Sequence, residues 1–179
     1  MKEERNLIIS PDKKYWEVNK PTLFAGDWCL NPLEKNSWHS IDFKVLKTDV
    51  FETENILKEI NFCDAIYEQL LKELAPTLNR LHEVNWSLRS WRIVIGPWLD
   101  RYVAISNNRL NLLIQSNKDY TVCFKNINFK DDSLASFDLL DYTDKAGSHE
   151  WNEKIMRRLY KLYSSKEFDH DYLNSLKFE

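Results

Sequence analysis

The chain has 179 residues, of which 43% are hydrophobic and 30% charged, the profile of a single globular domain. Twenty-eight acidic residues oppose 25 basic ones for a net charge of −3, so no overall field draws the chain onto nucleic acid or anionic lipid. Its three glycines, Gly26, Gly96 and Gly147, lie too far apart to share a glycine-rich phosphate loop, and no cofactor is expected.

Leu7-Ile8-Ile9 followed by Ser10-Pro11-Asp12 predicts a short buried strand ending in a turn. Thr22-Leu23-Phe24-Ala25 predicts a second strand, and the alternation of Ile41, Phe43 and Val45 a third. Short apolar strands between polar loops suggest the edge of an α/β sheet. Phe62, Ile66, Leu70, Leu74 and Leu78, widened by Leu71 and Leu81, recur as one helix face. A shorter helical piece precedes them over residues 54–60, and Pro76 should kink or split the main helix. Trp91, Ile95, Trp98, Tyr102 and Ile105 form another face. Gly96-Pro97 interrupts it, which predicts one helix stopping near Gly96 and a second starting at Pro97, where proline is well tolerated. Residues 120–124 are β-branched and aromatic, a strand pattern. Asp131-Asp132-Ser133 reads as a turn. Gly147-Ser148 opens a last helix carrying Trp151, Ile155, Leu159, Leu162 and Tyr163 on one side, with acids at its start and bases at its end. No run approaches the roughly 20 apolar residues of a membrane span, so any membrane contact would be peripheral. The odd, scattered Cys29, Cys63 and Cys123 fit reduced thiols of a cytoplasmic protein better than a disulfide framework or a zinc site.

Two stretches carry candidate chemistry. Between Trp86 and Ile114 stand four arginines (Arg89, Arg92, Arg101, Arg109) and one acid, Asp100. Arg89 and Arg92 are neighbours on one helix face beside tryptophans. They can grip a phosphate or carboxylate or simply pair with surface acids. The second stretch is Phe24-Ala25-Gly26-Asp27-Trp28-Cys29, placed where open α/β sheets bind ligands, beyond the carboxyl end of a strand. Asp27 there is a candidate base and Trp28 a stacking platform for a sugar. The plain alternative is that Gly26 permits a tight turn and Asp27 caps the next segment. Cys29 lacks a base in the sequence context and reads as a packed thiol. Asp169-His170-Asp171 is a weak metal fragment in a polar tail. His149 reads as a local cap, and Trp151-Asn152 either faces a ligand or joins the core.

Taken together, residues 23–29, the leucine-rich stretch at 70–82 and Ser87-Leu88-Arg89-Ser90-Trp91-Arg92-Ile93-Val94-Ile95-Gly96-Pro97-Trp98-Leu99 resemble the N-terminal part of bacterial transferases associated with O-antigen and other surface-polysaccharide loci. Trp16, Gly26, Trp28, Cys29, Arg89, Trp91, Arg92, Gly96, Pro97 and Trp98 match that pattern, while Asp27 stands where glutamate is more usual. The resemblance implies a helix-rich, Rossmann-like α/β domain with a short parallel sheet over residues 1–165. A polar tail follows at 166–179. It further implies the acceptor side of a two-domain, GT-B-type glycosyltransferase whose nucleotide-sugar domain is missing here, leaving open whether this chain is an active enzyme. Its partners would be a sugar or nucleotide-sugar substrate and that missing C-terminal domain. Asp27 would be the catalytic base, with Gly26, Trp28, Arg89, Arg92 and Trp98 binding the ligand. The alternative is a non-catalytic assembly module with a tryptophan-rich docking face.

Overall fold

The computed structural model describes residues 2–17, 19–47, 53–130 and 133–165; the expected turn at 131–133 and the 166–179 tail fall wholly or mostly outside them. All four strands are parallel, β1 (Glu3–Ile8), β2 (Thr22–Phe24), β3 (Phe43–Val45) and β4 (Tyr120–Cys123), in the order β3-β2-β1-β4. The expected α/β, Rossmann-like architecture with a short parallel sheet is therefore present. Leu7, Ile8, Leu23, Phe24 and Val122 are buried, as strands covered on both faces should be. β1 reaches further back than its apolar run suggests. Arg5, 3% exposed, is drawn into the sheet by Glu3 at 2.7 Å and by a hydrogen bond to the Thr22 carbonyl at 3.0 Å.

The helices are α1 (Lys35–Trp38), α2 (Thr53–Leu81), α3 (Leu88–Asp119), α4 (Leu139–Gly147) and α5 (His149–Tyr163). One expectation is corrected: Gly96-Pro97 does not divide α3. Of the kink or split expected at Pro76, the split does not occur, and α2 runs through it. Proline at position i frees the carbonyl at i−4, here those of Lys72 and Ile93. Both prolines and both of those residues lie on exposed faces, so water can take up the released acceptors. Gly96 serves packing instead of termination: a Cβ there would come within 2.7 Å of the Tyr67 hydroxyl on α2. The separate piece at 54–60 is simply the start of α2. α1 and α4 went unanticipated. α4 begins at Asp138, whose carboxylate accepts from the Asp141 amide at 2.8 Å, an N-cap. Ser148, not His149, caps α5 by accepting from the Trp151 amide.

Three apolar clusters hold the layers. The sheet packs with Leu112, Leu113 and Met156. Leu71 and Ala75 of α2 meet Trp91, Leu99 and Val103 of α3. Tyr142, Trp151 and Ile155 close on Trp98 and Tyr102. Trp151 thus belongs to the core. Leu71 is fully buried, whereas Leu81 is 71% exposed and lies outside the stripe. Asn79 fixes the α2–α3 turn: its side chain accepts from the Trp86 amide and the Trp91 indole and donates to the Trp86 carbonyl. α3 therefore spans all three clusters, one end on α2 and the other on the sheet.

Candidate functional site at the carboxyl edge of the sheet

The chain leaves β1 toward β2 on one side and adds β4 on the other side only after α2 and α3. That places a topological switch point at the carboxyl ends of β1 and β4, where open parallel sheets bind ligands. The segments emerging at this edge are residues 9–12, 25–29 and 124–125, and α5 packs above them.

The turn after β2 carries the predicted Gly26, Asp27 and Trp28. Gly26 is buried and extended at φ 171. The Trp28 indole lies directly against it, so that a Cβ at position 26 would collide with the ring. Asp27 and Trp28 project to solvent. Cys29 turns inward, with its Sγ 3.4 Å from the Ile8 carbonyl. Burial pushes its thiol up to about 12, so it stays protonated and packs, as its sequence context suggests.

Three further side chains meet here, Arg109, Asn152 and Glu153, of which the sequence singled out only Asn152 as able to face a ligand. Arg109 lies on α3, one turn before Leu112 and Leu113 reach the sheet. Its Nε and Nη2 donate to the Asn152 Oδ1 at 3.0 and 2.7 Å. Asn152 in turn donates to the carbonyls of Ala146 and Ser148, both at 2.8 Å, tying α4, α5 and α3 together. Desolvation lowers the affinity of the Arg109 guanidinium for its proton, and the Cys29 sulfur pulls the other way. Glu153 follows on α5, 2% exposed. Burial pushes its carboxyl up to about 7, with Asp12 pushing the same way and Arg157, 3.2 Å away, opposing. Arg157 is itself held over the Phe124 and Phe129 rings and donates to the Lys125 carbonyl. A carboxyl tuned near neutrality at a switch point can exchange a proton at physiological pH. Arg109 was visible in the sequence only as one of four arginines. Glu153 was visible as a helix-start acid. Burial and partners, the features that set them apart, depend on the folded chain.

The other predicted residues stand elsewhere. Arg92 pairs through both terminal nitrogens with both carboxylate oxygens of Glu68 on α2. That hydrogen bonding raises the Arg92 pKa and lowers that of Glu68. The pair borders an open hollow of about 540 Å³ that also includes Asp64, Tyr67 and Asp100. Three carboxylates against one engaged guanidinium suit a cationic or hydroxyl-rich guest better than an anion. Arg89 is exposed. Trp98 stacks on Tyr102 with centroids 5.4 Å apart. Arg92 precedes Arg109 by 17 residues, about 25 Å of helix. The expected grouping of Arg89 and Arg92 with the Gly26–Cys29 turn is not formed, because α3 carries them away along its length. Nor do the seven tryptophans share one face. Trp16, Trp91 and Trp151 are buried in three different clusters, while Trp28 and Trp86 are the more exposed. Among the described residues no group of three or more His, Cys, Asp or Glu could hold a metal; Asp169, His170 and Asp171 lie outside them.

A family model described as LIC12162 family transferase matches residues 5–177. The chain belongs to this transferase family. No match was found among curated proteins or solved structures. The resemblance drawn from the glycine-tryptophan and arginine-tryptophan motifs thus holds at the level of a LIC12162-type transferase. Among the described residues, no helix of this family member is long and apolar enough to cross a membrane.

Proposed function

We propose that this chain is the acceptor-side part of a GT-B-type glycosyltransferase that assembles bacterial O-antigen or a related surface polysaccharide in the cytoplasm. The observation that carries the reading is the turn after β2. It sets an exposed carboxylate, Asp27, beside an exposed indole, Trp28, at the carboxyl edge of a parallel sheet, in a chain of a transferase family. Glycosyl transfer needs a base for the acceptor hydroxyl. Asp27 takes that proton, the acceptor oxygen bonds to the anomeric carbon, and the bond from that carbon to the donor phosphate breaks, with the electron pair leaving on phosphate oxygen. Trp28 offers a face for the acceptor sugar, and Gly26 leaves room for that indole. Arg89, Arg92 and Trp98 stay outside this step, on the helical hairpin. A nucleotide-sugar-binding domain would be the partner that supplies the donor.

The test is complementation of a host lacking the gene, scored by surface-polysaccharide chain length. Asp27→Asn should abolish assembly at unchanged protein level, and Asp27→Glu should retain it. Normal assembly with Asp27→Asn removes the base from the scheme.

A further inference from the structure

The geometry points to a phosphate-binding subsite formed by Arg109 and Asn152 at the carboxyl edge of the sheet, taking the diphosphate of an activated donor or product. The inference rests on the transferase reading above, which makes a phosphate leaving group the expected anion.

Arginine carries five N–H donors. Asn152 takes two of those on Arg109 and the Asn108 side chain a third. Both acceptors are neutral amide oxygens, and among the described residues no carboxylate is paired with Arg109. The contrast is with the other arginines that are buried or half-buried, since Arg80, Arg89 and Arg101 are exposed to water. Arg5 has Glu3 and Asp42, Arg92 has Glu68, and Arg157 has Glu153. A cation withdrawn from water without a counter-charge is costly, and it is the arrangement expected where an anion arrives from outside. Two donors remain, and a guanidinium fork matches phosphate oxygens.

The surroundings fix the fork in place. Asn152 is anchored to two main-chain carbonyls, so its Oδ1 must face Arg109. It sits in the first turn of α5, whose dipole adds positive potential. Cys29, protonated, offers the anion no competing charge. Because Cys29 belongs to the same turn as Asp27, the subsite and the proposed base share one edge of the sheet. Arg109 stands about 25 Å along α3 from Arg92, so this subsite is separate from the acidic hollow on the hairpin.

Inorganic pyrophosphate, titrated into the full chain by calorimetry against sodium chloride of equal ionic strength, tests the subsite. Wild type should bind it. Arg109→Gln should weaken binding at least about tenfold, the loss expected for one hydrogen bond to a charged group. Asn152→Asp supplies the counter-charge that Arg109 lacks and should weaken binding equally; it keeps the test decisive if Arg109→Gln folds poorly. A nucleoside diphosphate run in parallel reports whether the base adds affinity, and its binding should show the same dependence on Arg109. No pyrophosphate binding by wild type, or wild-type affinity in Asn152→Asp, overturns the subsite. Loss of polysaccharide assembly in Asp27→Asn would leave the transferase reading standing in that case, so the two failures are distinguishable.

Discussion

Glu153→Gln gives the sharpest check on how this edge is built. The carboxyl is 2% exposed, and burial raises it from 4.5 to about 7. The folded chain therefore holds that proton more tightly than the unfolded chain. Glu153 destabilises the fold least below about pH 4.5, progressively more up to about pH 7, and by a constant amount above. Integrating between pH 5 and pH 8 gives a loss of roughly 2.5 kcal/mol, at about 1.36 kcal/mol per pKa unit. Glutamine keeps the shape and a carbonyl for Arg157, and it does not titrate. Urea unfolding of both proteins at pH 5, 6, 7 and 8 reads the difference directly. With a denaturant slope of about 1–3 kcal/mol/M, the wild-type midpoint should fall by roughly 1 M relative to Glu153→Gln across that range. The groups facing Glu153 are Arg157 on its own helix and Asp12 from the loop after β1. Other titrations are common to both proteins and cancel in the comparison. Parallel pH profiles would refute the reasoning and show Arg157 holding Glu153 ionised throughout.

Four further outcomes follow from the packing. Gly96→Ala sets a helix-propensity gain of about 1 kcal/mol against contact with the Tyr67 hydroxyl; chemical denaturation should show that gain only when combined with Tyr67→Phe. Pro97→Ala restores a donor to the Ile93 carbonyl and should raise the thermal midpoint by the equivalent of about 1–3 kcal/mol, and a lowered midpoint would contradict the water-satisfied carbonyl. Leu113→Ala empties a fully buried position against the sheet and should cost about 2–5 kcal/mol by denaturant titration. Gly26→Ala must displace the Trp28 indole, which is already half in solvent; stability should change by less than about 1 kcal/mol while the tryptophan emission shifts.

The strands were legible because short apolar runs bounded by turn residues have few other solutions, and Leu7, Leu23, Phe43 and Val122 all fall where such runs lie. The α2 and α3 faces were legible from their spacing. The helix breaks were not, since the effect of a proline depends on whether the carbonyl it releases meets water, and that is settled only once α2 and α3 pack. α4 was obscured because Asp138 caps it within a polar stretch. At the site, the turn carrying Gly26, Asp27 and Trp28 was visible from its position after a strand. Arg92 looked like an anion ligand because its partner, Glu68, lies 24 residues away in sequence. Arg109 and Glu153 could not be distinguished from ordinary surface charges, because a missing partner and a buried carboxyl leave no local trace.

The strand order has a consequence for biosynthesis. β1 is central, yet its β4 partner is more than a hundred residues downstream, after the whole α2–α3 hairpin. At roughly 5–20 residues per second, one rim of β1 waits on the order of ten seconds for its mate. During that interval Arg5 and Asn6 present unpaired backbone on that side, while the hairpin, built from near-neighbour contacts, can already be formed. The nascent chain would be most prone to wrong pairing, or most dependent on a chaperone, in the seconds before Tyr120 emerges.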